Sequence, residues 1–167
     1  MANASNLFLI ALGSNVRTAR DGPPRRVLEA AYEVLEDLGI LIHAVSQTIT
    51  TPPMGPSQRR FANAAAIIET SRRPDQLLAV LKATEHVFGR KTRGQRWNAR
   101  VLDLDIVLWD GGIWESNSLL IPHPEFRKRD FVLQPATQIG GDWKDPITNL
   151  SLAQLYGRLT KPRPVPR

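Results

Sequence analysis

The pattern of apolar positions along the chain predicts four β-strands. The first is the continuous apolar run over residues 7–12, which is typical of a buried strand and ends at a Gly-Ser-Asn turn. Residues 40–50 are rich in β-branched side chains, and residues 61–70 follow as a third strand. Apolar and polar positions alternate over residues 102–108, which indicates a fourth strand with one buried face.

Apolar residues spaced three and four positions apart predict helices between these strands. One stripe begins at Val27 and ends at Gly39, and a second helix begins at Pro74 and ends at Gly89. The order strand, helix, strand, strand, helix, strand is the βαββαβ pattern of a ferredoxin-like sandwich. We therefore expect an α+β fold, with helices packed on a mainly antiparallel sheet and a closing helix or turn over residues 131–139.

The fourth strand carries two carboxylates where its sequence would otherwise be apolar. Side chains two apart on a strand share a face, so Asp103 and Asp105 point the same way, about 7 Å apart. Leu104, Ile106 and Leu108 are expected on the opposite face, in the core. Two partly desolvated carboxylates repel each other, so either a cation lies between them or one of them stays protonated.

A dense group of cations precedes the strand that carries the two Asp residues. Mg²⁺ usually takes one or two carboxylates together with substrate phosphates. A carboxylate pair beside phosphate-binding cations therefore indicates chemistry on a nucleoside triphosphate. On the alternative interpretation, both Asp side chains face solvent beside a solvated basic loop. The cations of this segment are Arg90, Lys91, Arg93, Arg96 and Arg100.

Other segments supply candidates for the recognition of a flat heterocycle. Residues 51–56 contain three prolines and form a rigid loop with fixed backbone directions, unless they are a simple connector. Phe61 and Asn63 share a strand face, and a ring beside an amide can stack on a heteroaromatic ligand and bond its edge. Glu85 falls on a buried helical stripe and needs a partner, and His123 is held between two prolines.

Composition favours an anionic partner and excludes thiol chemistry. The 167-residue chain has a net charge of +6, a pI near 10.3 and no cysteine, so disulfides and Cys-bound zinc are ruled out. We expect one domain over residues 1–160 and a basic, Pro-rich, disordered tail over residues 161–167. The first apolar run is too short to span a membrane. We therefore expect a cytoplasmic protein. The charge alone does not choose among a nucleotide, a nucleic acid and an anionic membrane as the partner. Our expectation is a monomer that binds neither nucleic acid nor membrane.

Nine motifs along the chain carry a resemblance to a known family. They are residues 11–15, 51–56, 61–63, 89–90, 96–97, 100–105, 121–124 and 129–131, together with Glu85. In this order and spacing they resemble the 6-hydroxymethyl-7,8-dihydropterin pyrophosphokinases of folate biosynthesis, from about residue 7 to residue 139. The resemblance implies a ferredoxin-like α+β fold and transfer of the β,γ-diphosphate of ATP to the pterin hydroxymethyl oxygen, with release of AMP.

The resemblance also implies roles for individual residues. Asp103 and Asp105 would hold two Mg²⁺ ions, and Arg90 and Arg100 would neutralise charge on the triphosphate as the bond to AMP breaks. The ATP-binding set that it implies is Glu85, Arg96, Trp97, Arg100, His123 and Arg129. The pterin-binding set is Thr51, Pro52, Met54, Phe61, Asn63 and Phe131, with the two Phe rings on the two faces of the pterin.

Two departures from the family pattern lie in the basic loop over residues 90–100. Asn98 stands where the family usually has Gly or Ala, and Thr92 stands where an Arg often occurs, although Arg93 is adjacent. We expect this loop to close over ATP.

Two rival interpretations of the whole chain remain. One is a nucleic-acid-binding ferredoxin-like domain, whose RNP signature is absent, and the other is a family member that binds nucleotide without turnover.

Overall fold

A five-stranded antiparallel sheet forms the centre of the computed structural model, which describes residues 4–52, 60–89 and 101–166. None of the helices in these ranges is long and apolar enough to cross a lipid bilayer. The elements in chain order are β1 (Asn6–Ser14), α1 (Pro24–Asp37), β2 (Leu41–Val45), β3 (Ile49–Thr51), β4 (Phe61–Thr70), α2 (Pro74–Val87), β5 (Asp103–Trp109), β6 (Trp114–Glu115), β7 (Leu120–Ile121), a 3₁₀ turn (Phe126–Lys128), α3 (Asp130–Gly140) and α4 (Leu152–Thr160).

The strand order of the sheet is β2-β4-β1-β5, and β3 also pairs with β4. With α1 and α2 as the two crossovers, this is the ferredoxin-like order, so the fold predicted from the sequence is confirmed. The strand predicted over residues 40–50 is divided into β2 and β3. The division follows from Ser46, whose hydroxyl accepts the N–H of Ala65 while its own N–H donates to the Ala65 carbonyl.

Helices cover both faces of the sheet. On one face α1 and α2 pack over residues such as Phe8, Ile10 and Leu12. On the other face α3 and α4 pack over Leu9 and Ala65. The closing helix or turn expected over residues 131–139 is the helix α3, whereas α4 was not predicted. The signal for α4 was present in the sequence as a capping box, in which Ser151 and Gln154 bond each other's backbone N–H groups.

Leu108 lies on the opposite face of β5 from the one predicted. Leu104 and Ile106 belong to the core under α1 and α2, as expected, but Leu108 belongs to the core under α3 and α4. Adjacent residues of β1 pair with Ile106 and Leu108, so Val107 is an extra residue in β5. This β-bulge shifts the alternation by one position, and the prediction for Leu108 was therefore wrong.

A buried carboxylate joins the segment before α4 to the 3₁₀ turn. Asp145 is fully buried and accepts two bonds from the Arg127 guanidinium, at 2.6 and 2.8 Å. It also accepts the Thr148 hydroxyl at 2.7 Å and the Ile147 N–H at 3.0 Å. Burial alone would raise the pKa of Asp145, but these four bonds outweigh burial and hold the pKa below its usual value.

Replacing Asp145 by Asn should reduce the dependence of stability on acidic pH. A carboxyl group whose pKa is lowered by folding stabilises the protein fully above its unfolded pKa near 4, and this stabilisation is lost as the pH falls through the folded pKa. Because Asp145→Asn breaks a buried pair, we also expect a loss of about 3 kcal/mol at pH 7. Urea unfolding between pH 7 and pH 3 measures both effects. The exposed Asp142→Asn variant is the control and should behave like the wild type, and an equally steep acid loss in Asp145→Asn would contradict the assignment.

Candidate active site

Three neighbouring strands place small and polar side chains in two rows on the face of the sheet that carries α3 and α4. Residues directly opposite each other in paired strands lie on the same face. Two adjacent rows therefore cross the sheet from β4 to β5. The first row is Asn63, Gly13 and Asp103, and the second is Ala65, Ala11 and Asp105. An amide thus lies at one end of a floor of small residues, and a pair of carboxylates lies at the other.

The predicted carboxylate pair is present on one face of β5. Asp103 and Asp105 are both half-buried, and the Asp105 side chain is 41% exposed. Within residues 4–52, 60–89 and 101–166, no group of three or more Asp, Glu, His or Cys side chains could hold a metal ion. By its chemistry, a pair of carboxylates suits a hard cation that completes its coordination with other oxygens. Mg²⁺ bound to substrate phosphates has this requirement.

Glu85 has the partner that its buried position required. Its side chain is 1% exposed, and Oε1 accepts the backbone N–H of Leu104 at 2.8 Å. Leu104 lies between the two Asp residues, on a strand that, among the strands described in the structure, pairs with β1 alone. Lys82 Nζ lies 3.6 Å from Oε2 of Glu85 and balances part of its charge. Glu85 therefore supports the outer edge of the strand that carries the carboxylate pair.

His123 lies beside the carboxylate pair with a defined tautomer. Its backbone N–H donates to the Val107 carbonyl at 3.0 Å, which fixes this segment on β5. The backbone N–H of Glu125 donates to Nδ1 at 3.1 Å, so in the neutral ring the proton is on Nε2, which lies 4.0 Å from Asp105 Oδ2. Burial lowers the pKa of His123, and the charge of Arg129 lowers it further, against the opposing effect of Asp105. The imidazole is thus a neutral N–H donor near neutral pH.

The two candidate aromatic rings lie on the same side of the sheet. Phe61 begins β4, pairs with Thr51 and shares a strand face with Asn63. Phe131 lies in the first turn of α3 and packs on the core of that face. The Arg129 guanidinium lies 5.8 Å from the centre of the Phe131 ring. This arrangement places two rings and a cation on the side of the sheet that carries Asn63.

The side chain of Asn63 is oriented by Thr51 and fits closely beside Gly13. Its Nδ2 donates to Thr51 Oγ1 at 2.7 Å. A Cβ atom at Gly13 would lie 3.3 Å from Asn63 Oδ1, which is closer than nearly all Cβ contacts. The sequence analysis gave Gly13 no role of its own. The available signal was a glycine inside a buried strand. Such a glycine often marks a place where other atoms approach the strand backbone closely.

Several predicted site residues lie outside the described residues. These are Met54, Arg90, Arg96, Trp97 and Arg100, together with the departures at Thr92 and Asn98 and the loop expected to close over ATP. Pro52 is described and is exposed at the end of β3. The described residues thus bring a pair of carboxylates, a histidine, an amide and two aromatic rings to one face of the sheet.

The match to a family model identifies the class more closely. Residues 9–141 match the model of 7,8-dihydro-6-hydroxymethylpterin-pyrophosphokinase. This match spans most of the chain, which therefore belongs to the 7,8-dihydro-6-hydroxymethylpterin-pyrophosphokinase family. The resemblance stated from the sequence motifs is confirmed.

Individual relatives agree with this family. A 2-amino-4-hydroxy-6-hydroxymethyldihydropteridine pyrophosphokinase from Synechocystis is 33% identical over 147 residues, which are 88% of this chain and 73% of the relative. The enzyme of that name from Haemophilus influenzae is 38% identical over 80% of this chain and 81% of its own length. A Plasmodium falciparum HPPK-DHPS structure has a TM-score of 0.68 at 15% identity and supports the fold alone. That likeness covers 93% of this chain but 42% of the solved one, so the chain spans less than half of that protein.

Replacing Glu85 by Ala should loosen β5. The N–H of Leu104 would lose its acceptor in a buried position, so we expect the free energy of unfolding to fall by about 1–3 kcal/mol. Hydrogen exchange of the Leu104 amide, followed by NMR, should become faster. Glu85→Gln keeps an oxygen acceptor and is the matched control, in which the Leu104 amide should stay protected. Equal protection in the Ala and Gln variants would contradict the support role.

Proposed function

We propose that this chain transfers the β,γ-diphosphate of ATP to the hydroxymethyl oxygen of 6-hydroxymethyl-7,8-dihydropterin and releases AMP, as a step of folate biosynthesis. The observation that carries the proposal is the row from Asn63 across Gly13 to Asp103. Two strand spacings separate its ends, about 10 Å. This span suits a pterin whose ring edge bonds Asn63 and whose hydroxymethyl group points toward the carboxylates.

The reaction requires an alcohol oxygen and the β-phosphorus of ATP to be held in line. A bond forms between the hydroxymethyl oxygen and the β-phosphorus, the bond from that phosphorus to the oxygen of the α-phosphate breaks, and the hydroxyl proton leaves. Asp103 and Asp105 are the residues that would hold Mg²⁺, and we assign two ions to them. When bound there, Mg²⁺ would neutralise charge on the phosphates and orient them. The contribution of the chain is positioning and electrostatic stabilisation, as in other phosphoryl transfers.

His123 and Arg129 are assigned to the ATP side of the site. Nε2–H of His123 is aimed toward the region of Asp105 and can donate to a phosphate oxygen while the ring stays neutral. Arg129 adds a permanent positive charge. Arg90, Arg96, Trp97 and Arg100 keep the ATP and charge-neutralising roles that the family resemblance implies.

Glu85 is assigned a positioning role, which differs from the direct ATP contact implied by the resemblance. Its carboxylate is almost fully buried and bonds the backbone between the two Asp residues. A group in this position acts on ATP through the strand that it supports.

The pterin is assigned to the side of the sheet covered by α3. Phe61 and Phe131 stack on its two faces, and Asn63 bonds its polar edge. Both rings are half-buried, so each has an accessible surface for stacking. The backbone of Thr51 and Met54, with Pro52 between them in the sequence, is assigned to the same edge.

We further propose that the chain acts as a cytoplasmic monomer whose single domain covers residues 1–160 and is followed by the basic tail over residues 161–167. Light scattering after size-exclusion chromatography measures the mass directly. A mass of one chain supports the proposal, and a mass of two chains contradicts it.

Turnover with ATP, Mg²⁺ and 6-hydroxymethyl-7,8-dihydropterin tests the proposed reaction. AMP should form only when the pterin is present. Asp103→Asn and Asp105→Asn should each lower kcat by about 100-fold or more, because the phosphate charge is no longer neutralised. Asp110→Asn removes an exposed carboxylate at the end of the same strand and should leave kcat unchanged. ADP as the product would mean single phosphoryl transfer, and bound ATP without turnover would mean a nucleotide-binding protein.

Thr51→Val should weaken pterin binding with little effect on ATP. The variant removes the acceptor that orients Asn63 and leaves an amide N–H unpaired, so KM for the pterin should rise about tenfold. Gly13→Ala should act in the same direction, because its Cβ must displace Asn63 Oδ1. Steady-state kinetics with each substrate varied in turn separates the two KM values. Thr51→Ser keeps the hydroxyl and should restore the wild-type value, and a rise in the KM for ATP alone would contradict the orienting role.

A further inference from the structure

A cleft beside α4 is separate from the site of the proposed reaction. It has a volume of about 510 Å³ and lies between the last turn of α4 and the chain that follows it. None of its lining residues belongs to the proposed metal, ATP or pterin sets. Its lining includes the cations Arg127, Arg158, Lys161 and Arg163 and the apolar residues Leu155 and Leu159.

The positive charge of the cleft is largely uncompensated. No carboxylate lines it, and in the part of the chain that the structure describes no carboxylate oxygen lies within 4.0 Å of Arg158, Lys161 or Arg163. Three such cations around one cleft repel one another, and a bound anion relieves this repulsion. The charge of the guanidinium groups is permanent at physiological pH. The cleft therefore favours an anionic ligand.

Arg127 supplies a rigid donor at the wall of the cleft. Its Nε and Nη2 bond the buried Asp145, and its guanidinium lies 4.8 Å from the centre of the Phe126 ring. The side chain is 25% exposed, and Nη1 is not used in the two bonds to Asp145. A planar cation held in one orientation loses little entropy when it bonds a phosphate or carboxylate.

The backbone on both sides of the cleft also restricts its shape. Leu155, Arg158 and Leu159 share one face of α4 because they are three and four residues apart. Lys161 ends the helix in an extended conformation, with φ −63° and ψ 129°. Pro162 and Pro164 follow and fix φ at every second position, which keeps the segment extended. The cations of the helix and of the extended segment thus line a single cleft.

We propose that this cleft binds a small organic anion with two or more negative charges beside an apolar portion. The charged groups meet the cations, and the apolar portion covers Leu159, which is 39% exposed, whereas Leu155 is 7% exposed and belongs to the core. The volume of the cleft lies within the range of small-molecule sites, about 300–1,000 Å³. Phosphate and carboxylate groups both match the guanidinium geometry, so the chemistry shared by the two defines the ligand class. The proposal does not depend on the proposed reaction.

Titration of the ¹⁵N-labelled full chain without Mg²⁺ tests this site by NMR. The probes are phenyl phosphate, phthalate and the neutral benzyl alcohol. Phenyl phosphate or phthalate should shift backbone amides within residues 152–164, and benzyl alcohol should not. A response to phenyl phosphate alone assigns the site to phosphate ligands, a response to phthalate alone assigns it to carboxylate ligands, and a response to both supports the general class.

Two charge-matched triple variants separate the cleft from general electrostatics. Arg158→Gln/Lys161→Gln/Arg163→Gln should weaken binding of the anionic probe at least tenfold. Arg20→Gln/Arg25→Gln/Arg26→Gln removes the same charge from side chains that are 70–77% exposed elsewhere, and binding should stay within twofold of the wild type. Equal weakening in both variants, shifts confined to β5, or an equal response to benzyl alcohol would each overturn the proposal.

Discussion

The register of β1 between β4 and β5 is the constraint on which the candidate site depends. Side chains alternate between faces along a strand, so a slip of one residue in either pairing would turn Asn63 and Asp103 to opposite faces. The register is strongly specified because both faces of β1 are buried, one under α1 and α2 and the other under α3 and α4. Gly13 lies in the middle of the row and has no side chain to separate Asn63 from its neighbours. Core packing thus fixes the distance between the Asn63 amide and the carboxylates.

The strand that carries the carboxylates is held differently on its two edges. One edge pairs with β1, and the other receives single bonds from Glu85 and from the backbone of His123. This combination fixes the backbone of β5 while the face bearing Asp103 and Asp105 stays accessible. In the proposed reaction, catalysis is mainly positioning of phosphates and an alcohol oxygen, and a rigid strand with an open polar face meets that need.

The features of the fold and of the candidate site that follow from local sequence pattern could be predicted from the sequence. The element order and the shared face of Asp103 and Asp105 follow from periodicity over a few residues. The face of Leu108 could not be predicted, because the bulge is visible only once β5 pairs with β1. The acceptor role of Glu85 and the clearance at Gly13 depend in the same way on contacts between distant segments. Glu85 and Gly13 both belong to the family motifs, which marked them as candidates for the site. The structure adds the contacts that each of them makes.

A crystal structure with Mg²⁺, a non-hydrolysable ATP analogue and 6-hydroxymethyl-7,8-dihydropterin would show whether the row from Asn63 to Asp103 holds both substrates. We expect metal density between the phosphates and the side chains of Asp103 and Asp105. We also expect the pterin edge on Asn63, with the hydroxymethyl oxygen facing the β-phosphorus across the floor of small residues. A pterin bound away from Asn63, or metal density away from both carboxylates, would contradict the claim that the register of β1 brings the two substrates together.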